Sequence, residues 1–192
     1  MQNNIQDIYN ILPLILVGAG IIISVIIEIT SSKSERILPW FTVLVLMAAS
    51  LYSVFNLNST STVYNNMLAS GGNVFIFYFM FTFGAALVVL SSIEYIKKYG
   101  SYFGEFYILL LSSVLGMMLM AGAKDLFMVF LGLEQMSICF YVLAGINRKK
   151  QGANEASLKY FLLGAFATGF IVYGIALMFG TSHTTSIDSI VT

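Results

Sequence analysis

Glu134 is the residue whose type and setting most clearly ask for chemistry. It stands within residues 126–146, an apolar run built mainly of Leu, Phe, Met and Val. At 1.5 Å per helical residue from Leu126, it lies about 12 Å into that run. An ionised carboxylate at such depth costs about 2.5–3.5 kcal/mol on insertion scales, and more on an isolated helix. It must be protonated, paired with a cation, or open to a watered cavity. Intramembrane carboxylates commonly mark ion or proton paths; the structural alternative is a hydrogen bond to a neighbouring helix. Ser137 at i+3 and Tyr141 at i+7 share the helical face of Glu134, and Gly145 continues the line. A stripe of this kind can hold waters in file, or it can serve only interhelical hydrogen bonding.

Lys159 is the second residue of interest, within Asn154-Glu155-Ala156-Ser157-Leu158-Lys159-Tyr160-Phe161. It is expected about one turn into the next apolar segment, where a lysine can snorkel to the interface. Direct pairing with Glu134 is disfavoured by depth. Glu134 lies roughly 18 Å from the end of its run on the Lys159 side, and Lys159 only a few Å from that same boundary. Farther along, the spacings Gly164/Thr168 and Ala165/Gly169 suit close helix–helix approach. The single cysteine, Cys139, lies inside an apolar run and reads as packing, with no His/Cys cluster for a metal or iron–sulfur centre. The other acidic side chains need no chemistry. Asp7, Glu28, Glu35, Glu94 and Asp188 fall at or beyond span ends, and Glu105 and Glu155 suit helix N-termini.

The elements that hold these residues follow from composition. The 192 residues are 58% hydrophobic and 9% charged, whereas soluble domains are about 25% charged. Lipid must therefore be the solvent for most of this chain. Nine basic and nine acidic residues cancel, leaving no net charge to attract nucleic acid. The expected architecture is an all-α polytopic membrane domain with six spans, at about 11–29, 37–57, 74–94, 105–121, 126–146 and 159–180. Pro13 is tolerated in a first helical turn. The Asn-, Ser-, Thr- and Gly-rich stretch 56–73 is expected as a loop, because it would strand polar groups in lipid. Gly122-Ala123-Lys124-Asp125 must be a tight hairpin, since an unbroken helix across it would be about 60 Å long.

Lys33, Arg36, Lys97, Lys98, Arg148, Lys149 and Lys150 fall on one side of this topology and Lys124 alone on the other. The bias predicts an N-terminus outside and the basic loops in the cytoplasm. Arg148 to Lys150 is also a place where anionic lipid could be contacted. The N-terminus lacks the basic region of a cleaved signal peptide.

The run Phe130-Leu131-Gly132-Leu133-Glu134-Gln135-Met136-Ser137, with Tyr141-Val142-Leu143-Ala144-Gly145, closely resembles the fifth-helix motif of subunit N of respiratory complex I, the proton-pumping NADH:quinone oxidoreductase. Asn154 to Ala165 and Tyr173-Gly174-Ile175-Ala176-Leu177 continue the resemblance through a sixth helix. The resemblance implies a fold shared with cation/proton antiporter subunits, and proton-translocation roles for Glu134 and Lys159. It also implies a longer chain with inverted repeats, including a seventh-helix lysine partner for the glutamate that these residues do not contain. His183 falls in the loop after helix six and is expected to be exposed and passive.

On this resemblance the chain is a non-redox membrane subunit contributing to proton translocation coupled to electron transfer from NADH to quinone. FMN, iron–sulfur clusters and quinone are then expected in partner subunits, with none in this chain. Its partners would be neighbouring antiporter-like and small membrane subunits and lipid, in a cell inner (plasma) membrane. Two alternatives stay open: a subunit of a multisubunit Na⁺/H⁺ antiporter with the same fold, and a structural membrane fragment.

Overall fold

A computed structural model of the chain describes residues 8–31, 33–58, 60–63, 66–98 and 104–191. Asp7 lies outside the described residues, as do the side chains of Lys97 and Lys98. The main helices are α1 (Leu12–Thr30), α2 (Ser34–Phe55), α3 (Asn73–Lys98), α4 (Gly104–Gly122), α5 (Leu126–Ala144) and α6 (Gln151–Ser182), followed by a short α7 (Ile187–Val191). Among the described residues, six helices are long and apolar enough to cross a membrane.

The loop after α2 is more ordered than its composition suggests. Strands β1 (Thr60–Val63) and β2 (Leu68–Gly71) form an antiparallel hairpin in the register Thr60↔Gly71 to Val63↔Leu68. A ladder at a helix end satisfies backbone groups that a bare loop would leave unpaired beside lipid. Asn66, Gly71 and Gly72 adopt positive φ at its turns.

The core lies among α1–α4, where Val17, Leu38, Leu46, Tyr78, Tyr107 and Val114 are buried. Two buried hydroxyls there bond back to their own helices: Thr42 donates to the Leu38 carbonyl at 2.8 Å and Thr82 to the Tyr78 carbonyl at 2.7 Å. Both are thus satisfied without water. Helix α5 packs on α4 at a crossing where two glycines meet. A Cβ on Gly116 would lie 2.7 Å from the Gly132 carbonyl oxygen, and one on Gly132 2.7 Å from the Gly116 carbonyl oxygen. This backbone-to-backbone approach fixes α5 against the core. Helix α6 packs chiefly on α5 and has no buried residue.

Glu28 is not simply solvated at a span end. Its carboxyl group sits against Gly104, the first residue of α4, where a Cβ would collide with the carboxyl atoms. A carboxylate in that position answers the partial positive charge of the helix N-terminus.

Candidate functional site

Helix α5 presents one polar face to α6. Its N-cap is Asp125, whose Oδ1 accepts from the Phe127 backbone N–H at 2.8 Å. Two turns on, Glu134 is half-buried, and its Oε1 accepts a 2.6 Å hydrogen bond from the Thr168 hydroxyl of α6. Among the described residues no cation pairs with Glu134. The carboxylate therefore faces a single neutral donor.

The rest of the stripe is packed rather than open. The Tyr141 ring is buried edge-on against Tyr160 and Phe161, and its hydroxyl fills the space where a Cβ on Gly164 would stand. Its carbonyl accepts from the Ser157 hydroxyl at 2.7 Å. Gly145 abuts the same Ser157, since an added Cβ there would approach the Ser157 Cβ to 2.8 Å. Ser137 is half-buried on the turn between Glu134 and Tyr141. At Tyr141 and Gly145 the face serves interhelical contact, which leaves Glu134 and Ser137 as the part where a proton or water could act.

Of the two small-residue pairs on α6, Gly164/Thr168 faces α5. Ala165 and Gly169 are exposed, and no atom stands within 4 Å of a Cβ added to Gly169. That second pair makes no close helix contact among the described residues.

Lys159 is not brought to Glu134. Helix α6 begins at Gln151, earlier than the hydropathy boundary, so Lys159 lies in its third turn. Its ammonium bonds Glu155 Oε1 at 2.5 Å, one turn back, with both side chains largely exposed. Polar residues 151–157 form helix before the apolar segment starts, which hydropathy alone does not register.

A feature that sequence reasoning missed lies at the opposite end of α5. The extended segment 123–125 pairs on one side with Leu68 and on the other with Ser186. The Lys124 N–H donates to the Met67 carbonyl at 2.8 Å, and the Ile187 N–H to the Lys124 carbonyl at 3.0 Å. Buried Asp125 accepts from the Thr185 hydroxyl at 2.5 Å, and Lys124 pairs with Asp188 at 2.9 Å. The Lys124 ammonium holds the Asp188 carboxyl below the usual carboxylate range, and Asn66 adds a weaker hydrogen bond. This clasp ties the chain after α6 to the α4–α5 hairpin. The place of Asp125 before an apolar run is the signal that could have marked it as a helix N-cap; no such signal points to its tie to Thr185. His183, the left-handed C-cap of α6, is exposed.

Comparison with known proteins bears on the family and the fold. Residues 123–192, from the hairpin onward, match the family model "NADH:quinone oxidoreductase/Mrp antiporter, TM". The fold aligns with a chain of respiratory complex I from Thermus thermophilus at TM-score 0.78 and 26% identity, covering 91% of this chain and 38% of that one. It also aligns with a chain of an archaeal membrane-bound sulfane sulfur reductase at TM-score 0.75. At 21% identity, covering 95% of this chain and 38% of the other, that second likeness speaks for the fold alone. The fold is that of antiporter-like membrane subunits. In sequence the chain is similar over nearly its whole length to subunit N of NADH-quinone oxidoreductases. It is 41% identical to subunit N 1 of Chloroherpeton thalassium over 97% of this chain and 39% of that protein. With subunit N of Trichlorobacter lovleyi it shares 36% identity over 99% of this chain and 40% of the relative. The chain thus spans about two fifths of the length of these relatives.

Proposed function

We propose that the chain contributes to proton translocation in the membrane part of an NADH:quinone oxidoreductase, as a subunit with no redox centre of its own. The observation that carries this reading is Glu134: a mid-helix carboxylate with, among the described residues, one neutral hydrogen-bond partner and no cation paired to it. A carboxylate held this loosely can exchange a proton with a neighbouring carrier, whereas one locked in a buried ion pair cannot do so cheaply. Thr168 orients the carboxylate by donating its hydroxyl to Oε1. Lys159, with Glu155, forms the exposed charged step on α6 toward the basic loops, and those loops face the cytoplasm of a cell whose inner membrane houses the protein. Flavin, iron–sulfur clusters and quinone belong to partner subunits, among them neighbouring antiporter-like membrane subunits.

Glu134→Gln tests the role, because it keeps the hydrogen bond to Thr168 while removing the exchangeable proton. Coupled proton pumping in membrane vesicles should fall at least severalfold, with the complex assembled and electron transfer to quinone still measurable. Unchanged pumping would rule out Glu134 as a proton carrier. The family model also embraces antiporters, so a second reading is a subunit of a Na⁺/H⁺ antiporter. Flavin and iron–sulfur absorbance in the purified assembly separates the two.

A further inference from the structure

Away from the Glu134 face, the end of the bundle that bears the basic α5–α6 loop contains a cavity of about 590 Å³. Its deep wall is the C-terminal half of α3, with Leu87, Val88 and Ile96, closed on one side by Phe106 of α4. Its lip is Tyr95, Asn147 and Lys150. From Leu87 to Tyr95 the wall runs about 12 Å along the helix axis, the depth of the upper part of an acyl chain.

Two observations define what such a space can hold. The two hydroxyls in the wall are turned back into their own helix: Ser91 donates to the Leu87 carbonyl at 3.0 Å and Ser92 to the Val89 carbonyl at 2.7 Å. The wall therefore offers no hydroxyl donor to a polar ligand and behaves as an apolar surface. The lip is the reverse. Lys150 is exposed there, next to exposed Arg148 and Lys149, at the boundary where α3 and α5 end. An apolar shaft under a cationic lip is complementary to an amphiphile with a negative head.

We infer that this cavity is a binding site for an anionic phospholipid, with an acyl chain along α3 and the phosphate at Lys150. A neutral lipid fits the shaft equally well but gains nothing at the lip. Each basic side chain near the bilayer surface is worth roughly a factor of five in association with an anionic headgroup. The inference does not depend on the proton-translocation reading.

The test places a reporter in the wall. The single native tryptophan, Trp40, is 61% exposed on α2 and far in sequence from the cavity. In a Trp40→Phe background, Val88→Trp sets one fluorophore against the shaft. The full chain is reconstituted into phosphatidylcholine vesicles containing a small fraction of brominated phosphatidylglycerol, or the same fraction of brominated phosphatidylcholine. Quenching at position 88 should show a preference for phosphatidylglycerol of about fivefold in relative association. Trp40 in the unmodified chain should show none. Adding Lys150→Glu should bring the preference at position 88 to about one, while Lys149→Glu, off the cavity lip, should leave most of it. Equal quenching by the two lipids would overturn the site. So would equal loss in both lysine variants, which would mean diffuse surface attraction. Quenching at position 88 that is weak with either lipid would overturn it too, because protein would then be covering the shaft.

Discussion

Removing one hydroxyl should show whether the Glu134–Thr168 contact serves proton handling or only helix packing. Thr168→Val keeps a β-branched side chain of nearly the same volume and deletes the donor to Glu134 Oε1, now at 2.6 Å. A hydrogen bond to a charged acceptor contributes about 1.5–3 kcal/mol. If about half of this reaches the proton-transfer barrier, pumping slows by roughly three- to tenfold. Thr168→Ser restores the hydroxyl and should recover most of the rate, which a purely steric role would not require. The assay is dye-reported acidification of inverted vesicles, with electron transfer followed alongside and thermal stability measured on the purified protein. Stability of Thr168→Val should fall by no more than a few kcal/mol, since the site is only half-buried. Normal acidification by Thr168→Val, with Glu134→Gln inactive, would refute the claim that this hydrogen bond takes part. Loss in both Val and Ser variants with a matching loss of stability would assign Thr168 to packing.

The glycine crossing gives a prediction about the scaffold. Gly132→Ala would put a Cβ 2.7 Å from the Gly116 carbonyl oxygen and 2.8 Å from the Met120 backbone nitrogen, so helices must part. The expected loss is about 1–3 kcal/mol, read as a lower Tm. Adding Gly116→Ala should cost less than the sum of the two, because the same gap admits both methyl groups, and strict additivity would contradict the shared contact. At the clasp, the lowered Asp188 carboxyl sets a pH window. A group depressed in the folded state contributes above its unfolded value, here 3.8, and that contribution disappears as pH falls through the lower folded value. Hydrogen exchange across residues 183–191, corrected for intrinsic rates, should therefore hold steady down to about pH 4 and rise below it. Lys124→Met should show weaker protection at neutral pH with that acid-dependent step diminished; superimposable profiles would show that the Lys124–Asp188 pair does not hold the clasp.

The sequence was most legible where lipid leaves few choices. An uninterrupted apolar run of about 20 residues has only the helix to satisfy its backbone, and six helices of this kind are found among the described residues. The errors fall where that constraint relaxes. Residues 151–157 are polar enough to leave the membrane yet continue as helix, so hydropathy, which registers only the apolar part, does not show that α6 starts at Gln151 with Lys159 in its third turn. The hairpin of β1 and β2 lies at a bundle end, where both loop and ladder satisfy the backbone and composition does not choose between them.

Around Glu134, periodicity found the face but not what covers it. The i, i+3, i+7 spacing put Glu134, Ser137 and Tyr141 together because a helix admits no other arrangement. It could not say that Gly164 would receive the Tyr141 hydroxyl and Thr168 the carboxylate, since those contacts depend on how α6 leans on α5. The two are linked through α6. Gly164 and Thr168 are one turn apart, so the closeness that the absent Cβ permits at Tyr141 also brings the Thr168 hydroxyl within 2.6 Å of Glu134. A small residue that looks like generic packing in the sequence thus sets the reach of the only donor to the carboxylate among the described residues.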